Sequence, residues 1–221
     1  MHGVFVTGTG TEVGKTVVAA AIARTFAEAG ERVAVFKPAI SGLDEYAASG
    51  TEPDHALLRR AAGSAQSDDE IAPYRYGPPV SPHLGAALAG EVIDPARLRG
   101  AARRAGCGAD VLVCEGVGGL LVPLTLGYLV RDFASDLALP VIVAAPPGLG
   151  TINHTLLTIE AARAIGLEVA SVVLTPWPDE PTAVEQSNRE AIEQLGDVAV
   201  EILVPLDLRD LAAWPTLRPT A

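Results

Sequence analysis

Among the residues that carry chemistry, this sequence uses cysteine and lysine least. Cys107 and Cys114 are its only cysteines, and neither stands at a spacing from another cysteine or a histidine that is typical of a zinc site. Two cysteines are also too few for a disulfide scaffold. We therefore expect two buried free thiols, neither placed as a nucleophile. The four histidines are scattered without a metal-binding spacing, so we assign them no catalytic role.

Positive charge is scarce as well. The chain has 16 Lys and Arg against 27 Asp and Glu, a formal net charge of −11 at pH 7. Non-specific binding to nucleic acid or to an anionic membrane needs a basic face, so this composition argues against both partners. The most apolar later segment, residues 137–145, is short and contains Pro140, and no signal-peptide pattern opens the chain. We expect a cytoplasmic protein that acts on small molecules.

What the chain does have is enough apolar side chain for a sizeable core, 49% hydrophobic residues in 221. Short, continuously apolar runs alternate with helical stretches along it. The predicted strands are residues 4–7, 33–36, 110–114, 140–145, 169–174 and 198–204. The predicted helices are residues 16–28, 56–62, 95–105, 152–165 and 182–195. This pattern predicts a single α/β domain over residues 1–221, with a mostly parallel sheet flanked by helices on both faces.

Two segments lack such periodicity. Residues 43–53 and 64–81 are rich in Gly, Pro, Ser, Asp and Glu, and we predict long surface loops there, on the side of the sheet where the strands end. Ligands of open α/β sheets bind on that side. The tail beyond about residue 205 shows no clear pattern, and the sequence does not predict its structure.

The strongest motif is GTGTEVGKT at residues 8–16, between the first predicted strand and helix. Glycines there let backbone N–H groups converge on an anion, and the helix start adds a positive partial charge. Lys15 can reach the β and γ phosphates of a nucleotide, and Thr16 can bind Mg²⁺. The loop is a variant, because Gly8 stands one residue earlier than the pattern G-x-x-x-x-G-K-[ST] requires. The alternative is a glycine-rich turn with a surface lysine, which the strand before the loop and the helix after it disfavour.

Lys15 and Lys37 are the only lysines, and both follow predicted strands. A compact ammonium on a flexible stem suits phosphate or carboxylate oxygens better than a planar guanidinium does. Lys37 opens KPAISG at residues 37–42, where a rigid proline and the hydroxyl of Ser41 indicate a binding loop. The alternative is a surface lysine beside an ordinary turn serine.

A candidate metal site combines residues from three predicted elements. Glu115 follows an apolar strand, and the glycines after it allow another group to approach closely. Mg²⁺ usually takes one or two carboxylates with hydroxyl and phosphate oxygens, so Thr16, Glu115 and Asp54 form a reasonable set of ligands. Asp54 opens a predicted helix and can instead be an ordinary N-cap.

Residues 150–153 open another predicted helix. The free N–H groups at this helix start can bind an anion such as a carboxylate. The alternative is a helix start that is capped by the side chain of Thr151 or Asn153.

In order and spacing, residues 8–16, 37–42, 54, 115–119 and 150–153 resemble the dethiobiotin synthetase family, over roughly residues 1–195. The resemblance implies a P-loop NTPase-like fold and a homodimer with its active site at the subunit interface. It also implies a ligase of biotin synthesis, which uses ATP, CO₂ and Mg²⁺ to close the ureido ring of 7,8-diaminononanoate. Gly10 and residues 39–40 differ from the residues usual in the family.

The resemblance implies roles for individual residues. Catalytic roles fall to Thr11, Lys15 and Lys37, and Mg²⁺ binding falls to Thr16, Asp54 and Glu115. Nucleotide contacts are implied for Gly8, Thr9, Gly10, Thr11, Glu12, Val13, Gly14, Lys15, Thr16, Glu115, Thr175 and Pro176. Contacts with the diamine substrate are implied for Lys37, Ser41, Gly118, Gly150, Thr151, Ile152 and Asn153. Members often have an adenine-reading asparagine where Thr175 and Pro176 stand, so the sequence does not predict the base preference.

A different class of function also fits a phosphate loop. In ATPases of the ParA/MinD kind, which position chromosomes and cell division, the nucleotide drives dimerisation and partner binding instead of ligation. Those proteins usually carry a second lysine five positions before the main one, and Gly10 occupies that position here. The function of those ATPases also does not explain the KPAISG segment at residues 37–42.

Overall fold

The structure is a computed structural model and describes residues 2–218, so the ends of the predicted domain, Met1 and residues 219–221, lie outside the described residues. A six-stranded sheet forms its centre. The strands of this sheet are β1 (Gly3–Gly8), β2 (Val33–Phe36), β3 (Val111–Gly119), β6 (Val141–Ala145), β7 (Val169–Leu174) and β8 (Ala199–Ile202). They pair in the order β2-β3-β1-β6-β7-β8, all in parallel. A separate antiparallel pair consists of β4 (Pro123–Thr125) and β5 (Tyr128–Leu129).

Helices connect the strands and cover both faces of the sheet. They are α1 (Lys15–Glu28), α2 (Leu43–Ser49), α3 (Asp54–Ala62), α4 (Asp68–Ile71), α5 (Pro82–Leu88), α6 (Pro95–Ala105), α7 (Val130–Leu137), α8 (Thr151–Arg163) and α9 (Ala183–Gly196). A 3₁₀ turn follows at Leu211–Ala213. Alternate residues of each central strand enter different cores: Phe5 joins the core under α6 to α9, and Val4 and Val6 join the core under α1 and α3. The continuous apolar runs in the sequence reflect this burial on both faces.

The predicted surface loops are partly wrong. Residues 43–53 contain α2, and residues 64–81 contain α4 and contribute Ile71, Tyr74 and Tyr76 to the cores. Backbone hydrogen bonds hold the second segment along residues 37–42, among them Ile40 N–H to Tyr74 O at 2.9 Å. Pro73 and Arg75 interrupt the short stretch that holds these apolar residues, and therefore a search for periodic runs overlooks them.

Strand β3 is longer than predicted, because it continues past Glu115 to Gly119 beside the phosphate loop. Gly8 of β1 pairs with Gly119, after a register shift that follows the pairing of Val6 with Glu115. Glycine in a sequence usually ends a predicted strand, yet here backbone pairing with β1 extends it. The small β4–β5 pair and α7 were also not predicted.

The C-terminal tail packs on the body of the protein. Trp214 and Leu217 are buried in the core under α1, and the Leu217 N–H donates to Thr25 Oγ1 at 2.9 Å. The Trp214 indole donates to the Asp207 carbonyl at 2.8 Å, so the tail folds back on itself before it reaches α1. Two anchoring residues separated by polar sequence give no periodic signal.

The two cysteines differ in their surroundings. Cys114 is buried in β3, as predicted, and burial raises the pKa of its thiol well above the ordinary value. Cys107 is exposed in the turn after α6, so the prediction that it is buried was wrong. No helix within residues 2–218 combines the length and hydropathy needed to cross a membrane.

Candidate active site

The loop between β1 and α1 runs from Gly8 to Gly14 at the carboxyl end of the sheet. Its first amide, Thr9 N–H, donates to the Ala144 carbonyl of β6 at 3.1 Å, which fixes the loop over the sheet. From residue 10 to residue 14, no backbone N–H donates to a backbone carbonyl among the described residues. Such a row of free amides at the start of a 14-residue helix is a site for an anion.

Two glycines of the loop are required by its geometry. Gly14 has φ +87°, and a Cβ there would lie 2.6 Å from the Thr175 methyl carbon. A Cβ at Gly8 would lie 2.6 Å from a methyl of Val13 and 2.8 Å from Cγ of Lys15. Gly10 is different, because its nearest neighbour would be 3.8 Å away, an ordinary contact. The loop therefore tolerates a side chain at Gly10, where the sequence departs from the usual family pattern.

Lys15 and Thr16 point from the start of α1 toward the centre of the site. Lys15 is 8% exposed, and its ammonium donates to the Gly10 carbonyl at 2.6 Å, across the loop. The Thr16 hydroxyl donates to Glu115 Oε1 at 2.8 Å. The structure thus brings these residues of the phosphate loop together with the carboxylate of β3, as the sequence predicted.

Lys37 lies between the two predicted metal-binding carboxylates. Its ammonium is 2.8 Å from Asp54 Oδ2 and also donates to Glu115 Oε1. The three side chains come from different elements: Lys37 follows β2, Asp54 begins α3 and Glu115 lies within β3. Because β2, β3 and β1 are neighbours in the sheet, their carboxyl ends deliver these groups to one place.

Burial and charge set the protonation of this cluster. Burial alone would lower the pKa of Lys37, but the charges of Asp54 and Glu115 outweigh it and raise that pKa above the ordinary value. Burial lowers the pKa of Lys15, and the Glu115 charge only partly opposes the effect. Burial raises the pKa of Glu115, whereas the Lys37 ion pair lowers that of Asp54 against the effect of burial. Lys37 is therefore a fixed cation.

The oxygens of Thr16, Asp54 and Glu115 fit a magnesium ion. Glu115 is fully buried, and its Oε2 has no hydrogen-bond partner among the described residues, so one buried carboxylate oxygen is left for another ligand. Hydroxyl and carboxylate oxygens are the hard ligands that Mg²⁺ prefers, and phosphates and waters usually supply the rest. Within residues 2–218 no three His, Cys, Asp or Glu side chains gather as a protein-only metal site.

Asp54 is the first residue of α3 and does not cap it. The N-cap is Pro53, without a side-chain cap, so the N-cap interpretation of Asp54 is wrong. Its carboxylate instead accepts a 2.9 Å hydrogen bond at Oδ1 from the Tyr46 hydroxyl, while Oδ2 faces Lys37. Tyr46 was missed from the sequence, because it lies in a segment predicted to be a surface loop. A tyrosine eight residues before an aspartate carries no recognisable pattern.

Two further predicted residues flank the cluster. Gly118 has φ +60°, and a Cβ there would be 3.8 Å from Thr11 Oγ1, so the end of β3 lies against the phosphate loop. Ser41 is half-buried on the loop that begins with Lys37, and no hydrogen bond of its side chain is described within residues 2–218. The structure therefore brings Gly118 to the phosphate loop, whereas Ser41 stays on the loop after Lys37 without a described contact to the cluster.

The residues after β7 approach the phosphate loop from the opposite side. Thr175 is buried, donates its N–H to the Ala145 carbonyl at 2.9 Å, and lies against Gly14. The Thr175–Pro176 peptide bond is cis, and the N–H of the next residue, Trp177, donates to the Leu203 carbonyl at 2.8 Å. The predicted nucleotide contacts at Thr175 and Pro176 thus adjoin the loop that is predicted to hold the phosphates.

The helix start at residues 150–153 stands apart from this cluster. Gly150, with φ +92°, is the N-cap of α8, and no side chain caps the helix, so the capping interpretation is wrong. The Thr151 hydroxyl instead faces Thr155, and Ile152 and Asn153 follow on the first turn. No contact between this helix start and the lysines or carboxylates is described within residues 2–218.

Asn188 supports this helix start and was also missed from the sequence. Its buried side-chain amide donates to the carbonyls of Pro147 and Gly148, at 2.9 and 3.1 Å. These bonds fix the loop that leads from β6 into α8. An asparagine of α9 that reaches a loop 40 residues earlier gives no local signal.

Solved structures of low sequence identity share the fold. The cell division ATPase MinD of Pyrococcus furiosus superposes with a TM-score of 0.55 at 17% identity, covering 92% of this chain and 84% of that one. The signal recognition particle 54 kDa protein of Aeropyrum pernix gives a TM-score of 0.57 at 15% identity, covering 94% of this chain and 42% of that one. These similarities show the fold alone, and they confirm the predicted P-loop NTPase-like class.

Sequence comparison gives the family. A model described as an AAA domain matches residues 2–213. The ATP-dependent dethiobiotin synthetase BioD of Bacillus cereus strain G9842 is 44% identical over 205 residues, 93% of this chain and 84% of that protein. The protein of the same name from Bacillus thuringiensis strain Al Hakam is 43% identical with the same coverage. The chain therefore belongs to the family of ATP-dependent dethiobiotin synthetases.

Proposed function

We propose that this protein forms dethiobiotin from 7,8-diaminononanoate, CO₂ and ATP where the carboxyl ends of β1, β2 and β3 meet. Membership of the family makes it an ATP-dependent ligase of biotin biosynthesis. The residue roles and the steps are our proposal. One observation carries them: Lys15, Lys37, Thr16, Asp54 and Glu115 converge on one buried cluster beside the phosphate loop.

The phosphate loop would bind the ATP phosphates through the free amides of residues 10–14 and the start of α1. Lys15 would exchange the Gly10 carbonyl for phosphate oxygens, whose charge also favours the protonated amine that burial disfavours. Thr11 is exposed at the tip of the loop and lies close to Gly118, and it would contact the same phosphates from the solvent side of the loop. Thr175 and Pro176 would border the nucleoside.

Thr16, Asp54 and Glu115 would hold Mg²⁺, which when bound offsets the negative charge of the phosphates during transfer. The unpartnered Oε2 of buried Glu115 supports this assignment. The Thr16 hydroxyl, now bonded to Oε1 of the same carboxylate, is an equally hard ligand. The protein supplies few ligands of its own, as expected for a metal whose other ligands are phosphate and water.

Lys37 would act on the carbamate. In the first step one amine of the diamine attacks CO₂, a C–N bond forms as a C=O π pair moves to oxygen, and the nitrogen releases a proton to water to give a carbamate anion. Lys37 is buried and kept cationic by its carboxylates, so it can offset that charge without reorganisation. Ser41, four residues on, would contact the diamine.

The remaining steps need positioning more than acid–base chemistry. A carbamate oxygen attacks the γ-phosphorus, an O–P bond forms, and ADP leaves. The second amine then attacks the carbamoyl carbon, the C–O bond to phosphate breaks, and phosphate and a proton are released as the ring closes. Lys15 and Lys37 stay near the transferring group throughout, and effective concentration accounts for much of the rate.

We further propose that the carboxylate of the diamine's long chain binds at the α8 start of a second subunit. Residues 150–153 form a helix start without a side-chain cap. No contact between them and the cluster of their own chain is described within residues 2–218. Leu149 and Leu157 beside them are large apolar side chains, 96% and 54% exposed, that a partner would cover. A homodimer built this way would complete each site with residues of the other chain.

The test is ATP- and Mg²⁺-dependent incorporation of labelled bicarbonate into product with 7,8-diaminononanoate. We expect incorporation by the wild type and its loss in Lys15→Ala and in Lys37→Ala. ATP turnover that ignores the diamine would contradict the proposal and would favour the partner-regulated ATPase instead.

A further inference from the structure

Tyr46 hydrogen-bonds to one of the proposed metal-binding carboxylates. It lies on α2, the helix that follows the Lys37 loop, and its hydroxyl donates to Asp54 Oδ1 at 2.9 Å. The other oxygen of that carboxylate, Oδ2, is 2.8 Å from the Lys37 ammonium. Asp54 is thus held from both sides, by a neutral donor at one oxygen and by a cation at the other.

The backbone fixes where Tyr46 stands. Gly42, with φ +82°, turns the chain from the Lys37 loop into α2. The N–H groups of Leu43 and Asp44 then donate to the carbonyls of Tyr76 and Gly77, at 3.2 and 3.0 Å. These bonds tie the start of the helix to a neighbouring segment, so the Tyr46 phenol reaches Asp54 from a fixed base and not from a free loop.

The phenol can act only as a hydrogen-bond donor to Asp54. A tyrosine hydroxyl has an ordinary pKa of about 10 and carries its proton at neutral pH, whereas an ionised carboxylate has no proton to donate. The phenol occupies one oxygen only, and because each carboxylate oxygen has two lone pairs, Oδ2 can accept from Lys37 and still offer a lone pair to a metal. Partners of this kind, beyond the ligands themselves, orient metal-binding side chains.

We propose that Tyr46 is a positioning residue that holds Oδ1 of Asp54 and so fixes the orientation of this carboxylate beside Lys37, where the metal would bind. The proposal rests on the proposed role of Asp54 in binding Mg²⁺. It also gives α2 a function. This helix connects the loop at residues 37–42, which would contact the diamine, to the Asp54 carboxylate, which would bind the metal. Neither the phosphate-loop motif nor the KPAISG segment contains this residue.

The experiment uses Tyr46→Phe, which removes the hydroxyl and keeps the ring. Mn²⁺ serves as the probe, and its binding to the full-length protein with ADP is followed by electron paramagnetic resonance. We expect Mn²⁺ to bind about tenfold more weakly, the effect typical of losing such a partner. The Mg²⁺ concentration for half-maximal dethiobiotin formation should rise by a similar factor. ADP affinity without metal should not change, which also shows that the fold is intact.

Tyr128→Phe is the matched control. Tyr128 is another half-buried tyrosine whose hydroxyl donates to a carboxylate, that of Asp136, but neither residue belongs to the candidate active site. The control should bind Mn²⁺ like the wild type. Unchanged Mn²⁺ affinity in Tyr46→Phe, or an equal loss in Tyr128→Phe, would overturn the proposal.

Asp54→Asn separates this inference from the proposed function on which it rests. If Asp54→Asn weakens Mn²⁺ binding and Tyr46→Phe does not, Asp54 keeps its role and Tyr46 loses the one proposed here. If neither change has an effect, the metal role of Asp54 fails and the role of Tyr46 fails with it. Weaker binding in both variants supports both.

Discussion

At the scale of single residues, Lys37 is the side chain whose charge the site can least lose. It is 4% exposed and pairs with Asp54 and with the fully buried Glu115. Replacing it by methionine keeps the apolar stem but leaves two neighbouring carboxylates without their cation. Breaking a buried ion pair in this way costs about 3 kcal/mol. We expect Lys37→Met to lower the free energy of unfolding by about that amount in urea titrations at pH 7 without ligands.

The pH dependence of stability in Lys37→Met, and a second substitution, test whether the unpaired carboxylates cause the loss of stability. Burial raises the pKa of Glu115. Without Lys37 that pKa rises further, so the folded state binds the proton more tightly than the unfolded chain. Stability is then regained as pH falls through the raised pKa, and the deficit of Lys37→Met should shrink between pH 7 and pH 5. Adding Glu115→Gln should restore much of the stability at pH 7 but no activity. A deficit that grows toward pH 5 would contradict this account.

Much of the cluster could be predicted from the sequence, because Lys37 and Glu115 each follow an apolar run and Lys15 ends the glycine-rich loop after another. In a parallel sheet the carboxyl ends of the strands share one edge, so residues at those positions meet. Tyr46 and Asn188 could not be predicted in this way. Their contacts depend on where α2 and α9 lie on the sheet, and that position follows from packing over the whole chain.

At the scale of elements, the phosphate loop contains two glycines that should respond differently to the same change. Gly14→Ala forces an L-residue to φ +87° and places its methyl 2.6 Å from Thr175. A left-handed backbone alone costs about 1–2 kcal/mol, and the clash adds to it. We expect lower stability in chemical unfolding and loss of ATP binding by calorimetry, since the loop must shift to relieve the contact.

Gly10→Ala is the control within the same loop. Its methyl would meet only Val13, at 3.8 Å, and the backbone there is not in the left-handed region. Stability should stay within about 0.5 kcal/mol of the wild type, as for most substitutions without a packing conflict. ATP binding should also remain. If both alanines abolished ATP binding equally, the loop would need glycine at both positions, and the local fit of Gly14 would not be the cause.

Element boundaries show what a periodicity search can and cannot find. Strands β2 and β6 are continuous apolar runs buried on both faces, β7 is apolar apart from Ser171, and the sequence predicts all three closely. The extension of β3 through Gly116 to Gly119 depends on backbone pairing with β1, and glycine side chains say nothing about pairing. The same holds for the segment of residues 64–81, which is fixed by backbone bonds and a few buried rings.

At the scale of the whole molecule, the sheet edge holds every proposed group except a site for the diamine's carboxylate. The helix start at residues 150–153 offers one, but within the described chain it does not touch the cluster. If the partner subunit supplies it, Asn153→Asp should repel the substrate carboxylate and raise the KM for the diamine. Asn153 is exposed, so stability and ATP binding should not change.

Mixing variants tests whether one active site uses two chains. Lys15→Ala and Asn153→Asp would each inactivate both sites of their own homodimer at low diamine concentration. Equal amounts, unfolded and refolded together, give half heterodimers by random pairing. In each heterodimer one site combines the intact Lys15 of one chain with the intact Asn153 of the other, because the two contributions come from opposite subunits. We expect recovery of about a quarter of wild-type activity in the mixture. If both groups instead served the same chain's site, every site in every mixture would lack one of them, and no activity would return.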